Sequence, residues 1–201
     1  MEKTTLVIFL LLGISFCSYA QSKKKSFVQQ DMFSVSAGLA GGALVAHPLQ
    51  DVFLKGSAEY FMERRISVRA DLYAFLPDYN FEGQLQKNTS LFLGASYHFP
   101  YLRWDTYMSL EPGIAFSGLS SGNTAEKVKT GIVPVWEMSG GVTYYIRNNL
   151  HIYIATGYVH GYFYPETASS FLLDEVRIMG GLGFNVNFNR YAPYERRRVR
   201  F

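Results

Sequence analysis

Residues 52–77 read VFLKGSAEYFMERRISVRADLYAFLP and alternate strictly on both sides of Glu63-Arg64-Arg65. Before that turn, Leu54, Gly56, Ala58, Tyr60 and Met62 share one face, and Lys55, Ser57 and Glu59 share the other. After it, Ile66, Val68, Ala70, Leu72, Ala74 and Leu76 oppose Ser67, Arg69 and Asp71. Period two over this length specifies strand rather than helix. A three-residue turn keeps both apolar faces on one side and sets Glu59 opposite Arg69, which predicts a cross-strand ion pair. One face is uninterrupted hydrocarbon, while the other carries charge in mid-strand.

The same alternation recurs along the chain and predicts eight strands. The first, about 31–41, turns Phe33, Val35, Ala37 and Leu39 outward and Ser34, Ser36 and Gly38 inward. The hairpin above supplies the second and third. The fourth, about 88–99, has Thr89, Leu91, Leu93, Ala95 and Tyr97 outward and Ser90, Phe92, Gly94, Ser96 and His98 inward. In the fifth, about 104–117, Met108, Leu110, Pro112 and Ile114 face out and Ser109, Glu111 and Gly113 face in. The sixth, about 131–147, has Ile132, Trp136, Met138, Val142, Tyr144 and Ile146 outward and Glu137, Ser139, Thr143 and Arg147 inward. The seventh, about 150–162, turns Leu150, Ile152, Ile154 and Tyr158 outward, with a register that is soft beyond Gly157. The eighth, about 174–188, has Val176, Ile178, Leu182, Phe184, Val186 and Phe188 outward and Arg177, Asn185 and Asn187 inward.

Connections alternate in length. Glu63-Arg64-Arg65, Pro100-Tyr101-Leu102-Arg103 and Asn148-Asn149 are short turns. Residues 42–51 (with His47-Pro48), 77–87, 118–130 and 163–173 read as loops, rich in Pro, Asp, Asn, Gly and Ser. Pro112 and Pro134 each remove a ladder donor and mark expected bulges or strand ends. Apolar residues outside, charge inside, an even strand count and alternating short and long connections describe an all-β, eight-stranded, antiparallel up-and-down transmembrane β-barrel.

Composition agrees. Of 201 residues, aromatics make up 16% and charged residues 17%, the first high and the second low for a soluble surface. After residue 20, no apolar run approaches the roughly 18 residues a helical span needs. The formal net charge of +3 is small and sits in the tail, which argues against nucleic acid as a partner. Residues 1–20 read as a secretory signal peptide: an apolar Leu6–Phe16 core, then Ser18-Tyr19-Ala20 as a cleavage site. The only cysteine, Cys17, lies inside it, and the large Phe16 before Cys17 disfavours lipidation there. An exported chain without disulfides needs another source of stability, which a hydrogen-bond-closed barrel in lipid supplies. The expected organisation is signal peptide 1–20, periplasmic lead-in 21–30, barrel 31–188 and basic periplasmic tail 189–201, located in a bacterial outer membrane.

Gly183-Phe184-Asn185-Val186-Asn187-Phe188 resembles the closing-strand signal of outer-membrane barrels, with Gly181 where a polar residue is usual and thirteen residues beyond Phe188. Across about 31–188 the chain resembles the small eight-stranded barrels of the OmpA-like and Bacteroidetes outer membrane β-barrel type. The resemblance implies assembly by the barrel-insertion machinery and a narrow interior filled with side chains. It brings no catalytic residue with it.

The candidate site is the set of inward charges: Lys55, Glu59, Arg69, Asp71, Glu111, Glu137 and Arg177. An eight-stranded barrel is just wide enough for side chains to fill, so these charges are expected to pair and to plug the lumen. A rival reading gates a small solute path with them. A lipocalin-like binder would invert the pattern, with polar faces outward, and the Ala-, Gly-, Ser- and Asn-rich faces do not supply that. Tyr60, Trp104, Trp136, Tyr144 and Tyr158 are expected in interfacial aromatic belts. For an enzyme acting on lipid A, His160 with Asp174 is the candidate, but no serine sits two residues away, and the His-x-Ser pattern of lipid A deacylases is absent. His98 and His151 read as inward near the periplasmic rim. No two histidines have metal-ligand spacing on one face, so neither metal nor cofactor is expected. Outer-membrane lipid and lipopolysaccharide are the expected surroundings, with a periplasmic partner or anionic headgroups for the RRRVR tail.

Overall fold

The computed structural model describes residues 26–45, 50–76, 85–119, 129–163, 171–172 and 174–188. The strands are β1 Met32–Leu44, β2 Gln50–Phe61, β3 Ile66–Phe75, β4 Leu85–Tyr101 and β5 Trp104–Leu119. They continue with β6 Lys129–Arg147, β7 Leu150–Phe163, the two-residue β8 Phe171–Leu172 and β9 Glu175–Asn187. Each long strand pairs antiparallel with the next long strand in sequence, and β1 pairs β9, so eight strands close into a barrel. β8 lies outside that ring and pairs only the end of β7, Tyr162 with Leu172 and Phe163 with Phe171.

The barrel forms because every long strand carries one apolar face, and closure leaves no unpaired edge. Leu39, Leu54, Leu72, Leu93, Leu110, Ile132, Ile154, Ile178 and Leu182 all point out and are exposed. Between them, most inward positions are buried, down the whole of β7 as well, where His151, Tyr153, Ala155, Gly157 and Val159 are buried and Ile152, Ile154, Thr156 and Tyr158 are exposed. Among the described residues, no helix is long and apolar enough to cross a membrane, which leaves spanning by strands untouched.

Three connections at one end are short: residues 62–65, Leu102–Arg103 and Asn148–Asn149. Pro100 and Tyr101 belong to β4, opposite Asp105 and Trp104, so that turn is tighter than its sequence suggests. Leu102 takes a φ of 55°, the left-handed conformation that two-residue hairpin connections call for. At the other end the strands run further into the expected loops: β1 reaches Leu44, β4 starts at Leu85, β5 reaches Leu119 and β6 starts at Lys129. The cores of those loops, 46–49 with His47-Pro48, 77–84, 120–128 and 164–170, lie outside the described residues, as do residues 1–20, read above as a signal peptide, and the tail 189–201.

Neither proline breaks the sheet. Pro112 pairs Trp136 and Pro134 pairs Ile114 in an unshifted β5–β6 register. The β4–β5 ladder pauses between Phe92↔Gly113 and Ala95↔Leu110 and resumes in the same register, so the lost donor at Pro112 leaves a gap and not a bulge. The register shifts lie elsewhere, between Leu85 and Lys87 and between Tyr145 and Arg147. The second corrects the parity of Arg147. Tyr145 is inside and pairs His151, but Arg147 pairs the outward Leu150 and is exposed. One extra residue has turned it over.

The short-turn end is covered by the chain itself. Residues 26–31 fold across it: the Phe27 amide donates to the Leu102 carbonyl at 3.1 Å and the Asp31 amide to the Phe61 carbonyl at 2.9 Å. The Phe27 ring stacks on Tyr145 at 5.9 Å. Val28 packs with Met32, Phe61 and Tyr145 in a small buried cluster.

Candidate functional site

The interior is built from the inward positions of all eight long strands. It holds every residue of the predicted charge set, in three groups stacked along the barrel.

The first group, toward the long-loop end, centres on Arg177 of β9. Its Nη2 lies 2.7 Å from Glu175 Oε2, and its Nη1 donates to Ser90 Oγ at 3.2 Å. The guanidinium sits over three rings, 4.3 Å from Tyr73, 4.5 Å from Phe53 and 5.9 Å from Phe92. Those rings meet edge to face, Phe53–Tyr73 at 83° and Tyr73–Phe92 at 89°. The planar, weakly hydrated guanidinium suits such an aromatic box. Asn88 reaches Asp51 and Glu175 from β4 at 3.4 and 3.5 Å.

The second group lies in mid-barrel. Lys55 Nζ is 2.6 Å from Asp71 Oδ2, with both side chains fully buried. Arg69 Nε donates to Asp71 Oδ1 at 3.0 Å and lies 3.9 Å from Glu111. The Tyr73 hydroxyl donates to Glu137 Oε1 at 2.8 Å, which joins this group to the first. Glu111 and Glu137 stand directly opposite each other across the β5–β6 ladder.

The third group lies toward the short-turn end. His98 Nδ1 is 2.7 Å from Asp105 Oδ2, and its Nε2 is 3.1 Å from Glu59 Oε1. Ser67 Oγ donates to Glu59 at 2.7 Å and lies 2.9 Å from His98 Nε2. Glu59 does stand opposite Arg69 in the ladder. The expected ion pair between them does not form as such: Glu59 turns to His98 and Ser67, and Arg69 turns to Asp71 and Glu111. Both find nearer partners on the same inner face.

Serine, histidine and aspartate thus line up at the distances of nucleophile, base and orienting carboxylate. Their surroundings do not suit that chemistry. The Glu59 carboxylate faces the nitrogen that would have to accept a proton, Phe61 packs on the imidazole at 4.7 Å, and Ser67 is fully buried. A nucleophile needs a base with a free lone pair and room for a substrate. Two carboxylates around one imidazole instead make a compact ion cluster.

Parity alone finds more of this interior than the seven charges. Asp51 shares the face of Lys55, Asp105 that of Glu111, and Glu175 that of Arg177, and all three are buried. His98 and His151 are inside as well. Among the described residues, no group of three or more His, Cys, Asp and Glu side chains could hold a metal ion.

The expected belt residues lie on the outer wall at two levels. Tyr60, Trp104 and Tyr144 are near the short turns, with Trp104 and Tyr144 4.7 Å apart, and the Tyr60 hydroxyl donates to Asp31 at 2.8 Å. Trp136 and Tyr158 lie toward the other end, 6.0 Å apart. Beside them His160 Nδ1 meets Asp174 Oδ1 at 2.6 Å and its ring packs on Trp136 at 5.6 Å. The described residues bring no serine to that pair.

An apolar outer wall, a charged interior and a closed antiparallel eight-strand ring define the small transmembrane β-barrel. Solved structures of that class superpose on this chain. The outer membrane protein OprG of Pseudomonas aeruginosa matches with a TM-score of 0.60 at 13% identity, over 79% of this chain and 97% of its own. The N-terminal β-barrel domain of Pseudomonas aeruginosa OprF gives 0.55 at 16% identity, over 78% and 98%. Ail, the attachment invasion locus protein of Yersinia pestis, gives 0.54 at 12% identity, over 79% and 100%. At such identities the likeness is one of fold. No protein-family model matches the chain, and no curated protein matches it in sequence, so the narrower resemblance to the Bacteroidetes group rests on pattern alone.

Proposed function

We propose that this protein is a bacterial outer-membrane barrel whose interior is plugged by its own side chains, and that it serves the cell envelope as a structural or interaction protein. The reading rests on one observation: Lys55, Arg69 and Arg177 are buried inside a closed ring, each within 3.0 Å of a carboxylate and each over an aromatic ring, while the outer wall is apolar. An array of that kind fills an eight-strand lumen. Residues 26–31 supply a second seal at the short-turn end. In this reading the protein is exported by its signal peptide, assembled by the barrel-insertion machinery and surrounded by lipid and lipopolysaccharide, with no catalytic role. Its basic tail meets a periplasmic partner.

Planar-bilayer recording tests the plug. The purified barrel is expected to give no steady single-channel steps, and clear steps overturn the reading. A second reading, passage of a small cation, draws on the excess of interior carboxylates. Neutralising Glu59 and Arg69 together would then change the leak, and an unaltered leak counts against it.

A further inference from the structure

The outer wall of a small barrel is convex, yet this one has a hollow. It measures about 230 Å³ and is lined by Trp104, Val142, Tyr144, Ile152, Tyr153 and Ile154, with almost no polar surface. The register explains it. Trp104, Tyr144 and Ile152 stand abreast on β5, β6 and β7, and Val142 pairs Ile154 one outward row further in. Val142 is short and half-buried, whereas Trp104 and Ile154 are well exposed, so the tall side chains wall in a low floor.

Two cations lie toward the short-turn end of this hollow, Arg103 in the turn between β4 and β5 and Arg147 at the end of β6. Arg103 immediately precedes Trp104, and its carbonyl accepts from the Tyr145 amide at 2.8 Å. Arg147 lies three residues beyond Tyr144, about 10 Å along the strand. Simple alternation would bury Arg147 in the lumen. The register shift after Tyr145 brings it to the outer face, level with Leu150. Both arginines are exposed. The Arg103 guanidinium lies over the face of Phe27 at 5.8 Å, at the rim of the short-turn end.

We propose that the hollow and the two arginines form one binding site for an anionic glycerophospholipid of the periplasmic leaflet. The acyl chain lies on Val142 between Trp104 and Ile154, and the headgroup phosphate meets Arg147 and Arg103. Charge complementarity selects an anionic headgroup over a zwitterionic one, since arginine presents a fork of donors to phosphate oxygens. The Trp104–Tyr144 pair stands between chain and headgroup, where aromatic residues sit at a membrane interface. The site rests on the membrane reading above but not on a plugged lumen.

The test uses the full-length barrel in nanodiscs of phosphatidylcholine doped with phosphatidylglycerol, with bound lipid read by native mass spectrometry after release. The expected result is retained phosphatidylglycerol in preference to phosphatidylcholine. Arg103→Gln with Arg147→Gln should cut that preference on the order of tenfold while leaving some lipid bound. Val142→Phe, which fills the floor, should reduce retention of both lipids. A heat-modifiable gel shift establishes that each variant is folded, and Ile154→Trp fills the hollow from a lipid-facing position should Val142→Phe not fold. Retention unchanged by the double arginine variant overturns the site. So does a dimer joined through this wall with no lipid retained. A barrel that fails to enter nanodiscs at all would instead sink the membrane reading.

Discussion

Arg177 and Glu175 sit two residues apart on one strand, both on its inner face, and their charged groups meet at 2.7 Å beneath an aromatic box. The pair is an i, i+2 relationship that a strand permits and a helix does not. It fastens the closing strand to Ser90 of β4 and to the rings of β2, β3 and β4 across the barrel. The closing strand is thereby held on both sides, by ladders at its edges and by a guanidinium through the middle.

Removing one partner of that pair leaves the other charged and buried. Arg177→Met is therefore expected to destabilise the barrel by roughly 3–5 kcal/mol. Adding Glu175→Gln should recover most of the loss, because a neutral amide no longer needs the cation. Urea titration of the refolded barrel, followed by tryptophan fluorescence, measures both. Equal stability of single and double variants would contradict the coupling.

Glu111 and Glu137 face each other across one ladder, and only Glu137 accepts from Tyr73. Like charges directly opposite are unfavourable. Glu111→Gln should raise stability by about 0.5–1 kcal/mol, whereas Glu137→Gln should give less, since it weakens the Tyr73 hydrogen bond. The urea midpoints order the two variants, and the reverse order would refute the argument.

Two glycines carry opposite expectations. Gly38 of β1 faces Gly181 of β9 where the barrel closes, and a Cβ on Gly38 would lie 2.2 Å from the Gly180 carbonyl oxygen. That obstacle is backbone and cannot rotate away, so Gly38→Ala should lower refolding yield and melting temperature. Gly56 faces outward with nothing within 4 Å of a Cβ. Gly56→Ala should be neutral or add about 0.4–1 kcal/mol by restricting the unfolded chain. Paired thermal melts decide it.

The segment 26–31 should be protected at Phe27 and Asp31, whose amides are bonded to Leu102 and Phe61. Hydrogen exchange at these two amides should be slow in the parent. It should quicken about fivefold in Phe27→Ala, which gives up the Tyr145 stack, about 1 kcal/mol of contact. Fast exchange in the parent would mean the seal is not formed in solution.

Much of this is legible in the sequence. Residues 52–77 fix a hairpin and even its register, because period-two alternation and a charged turn admit one alignment, with Glu59 across from Arg69. The partners of those two charges are not legible. They depend on His98 from β4, on Glu111 from β5, and on Asp71 being two residues along the same face. Asp51, Asp105 and Glu175 follow from parity yet lie at or next to strand ends, where the alternation is shortest and least marked. Arg147 defeats parity altogether, since nothing in Tyr-Tyr-Ile-Arg announces an inserted residue. Phe27 and Val28 are two apolar residues in a polar stretch, too few for a periodic signal. Pro112 misleads in the other direction: inside a two-sided ladder it costs a donor without bending the strand.

Seven of the eight barrel ladders join long strands that follow one another along the chain, and only β1 with β9 joins its beginning to its end. Contacts that distant in sequence form late and slowly. Until they do, the ammonium of Lys55 and the guanidinium groups of Arg69 and Arg177 have an open wall on one side. Pairing of β1 with β9 is therefore the step that encloses these three cations, and one ladder decides whether the interior exists at all.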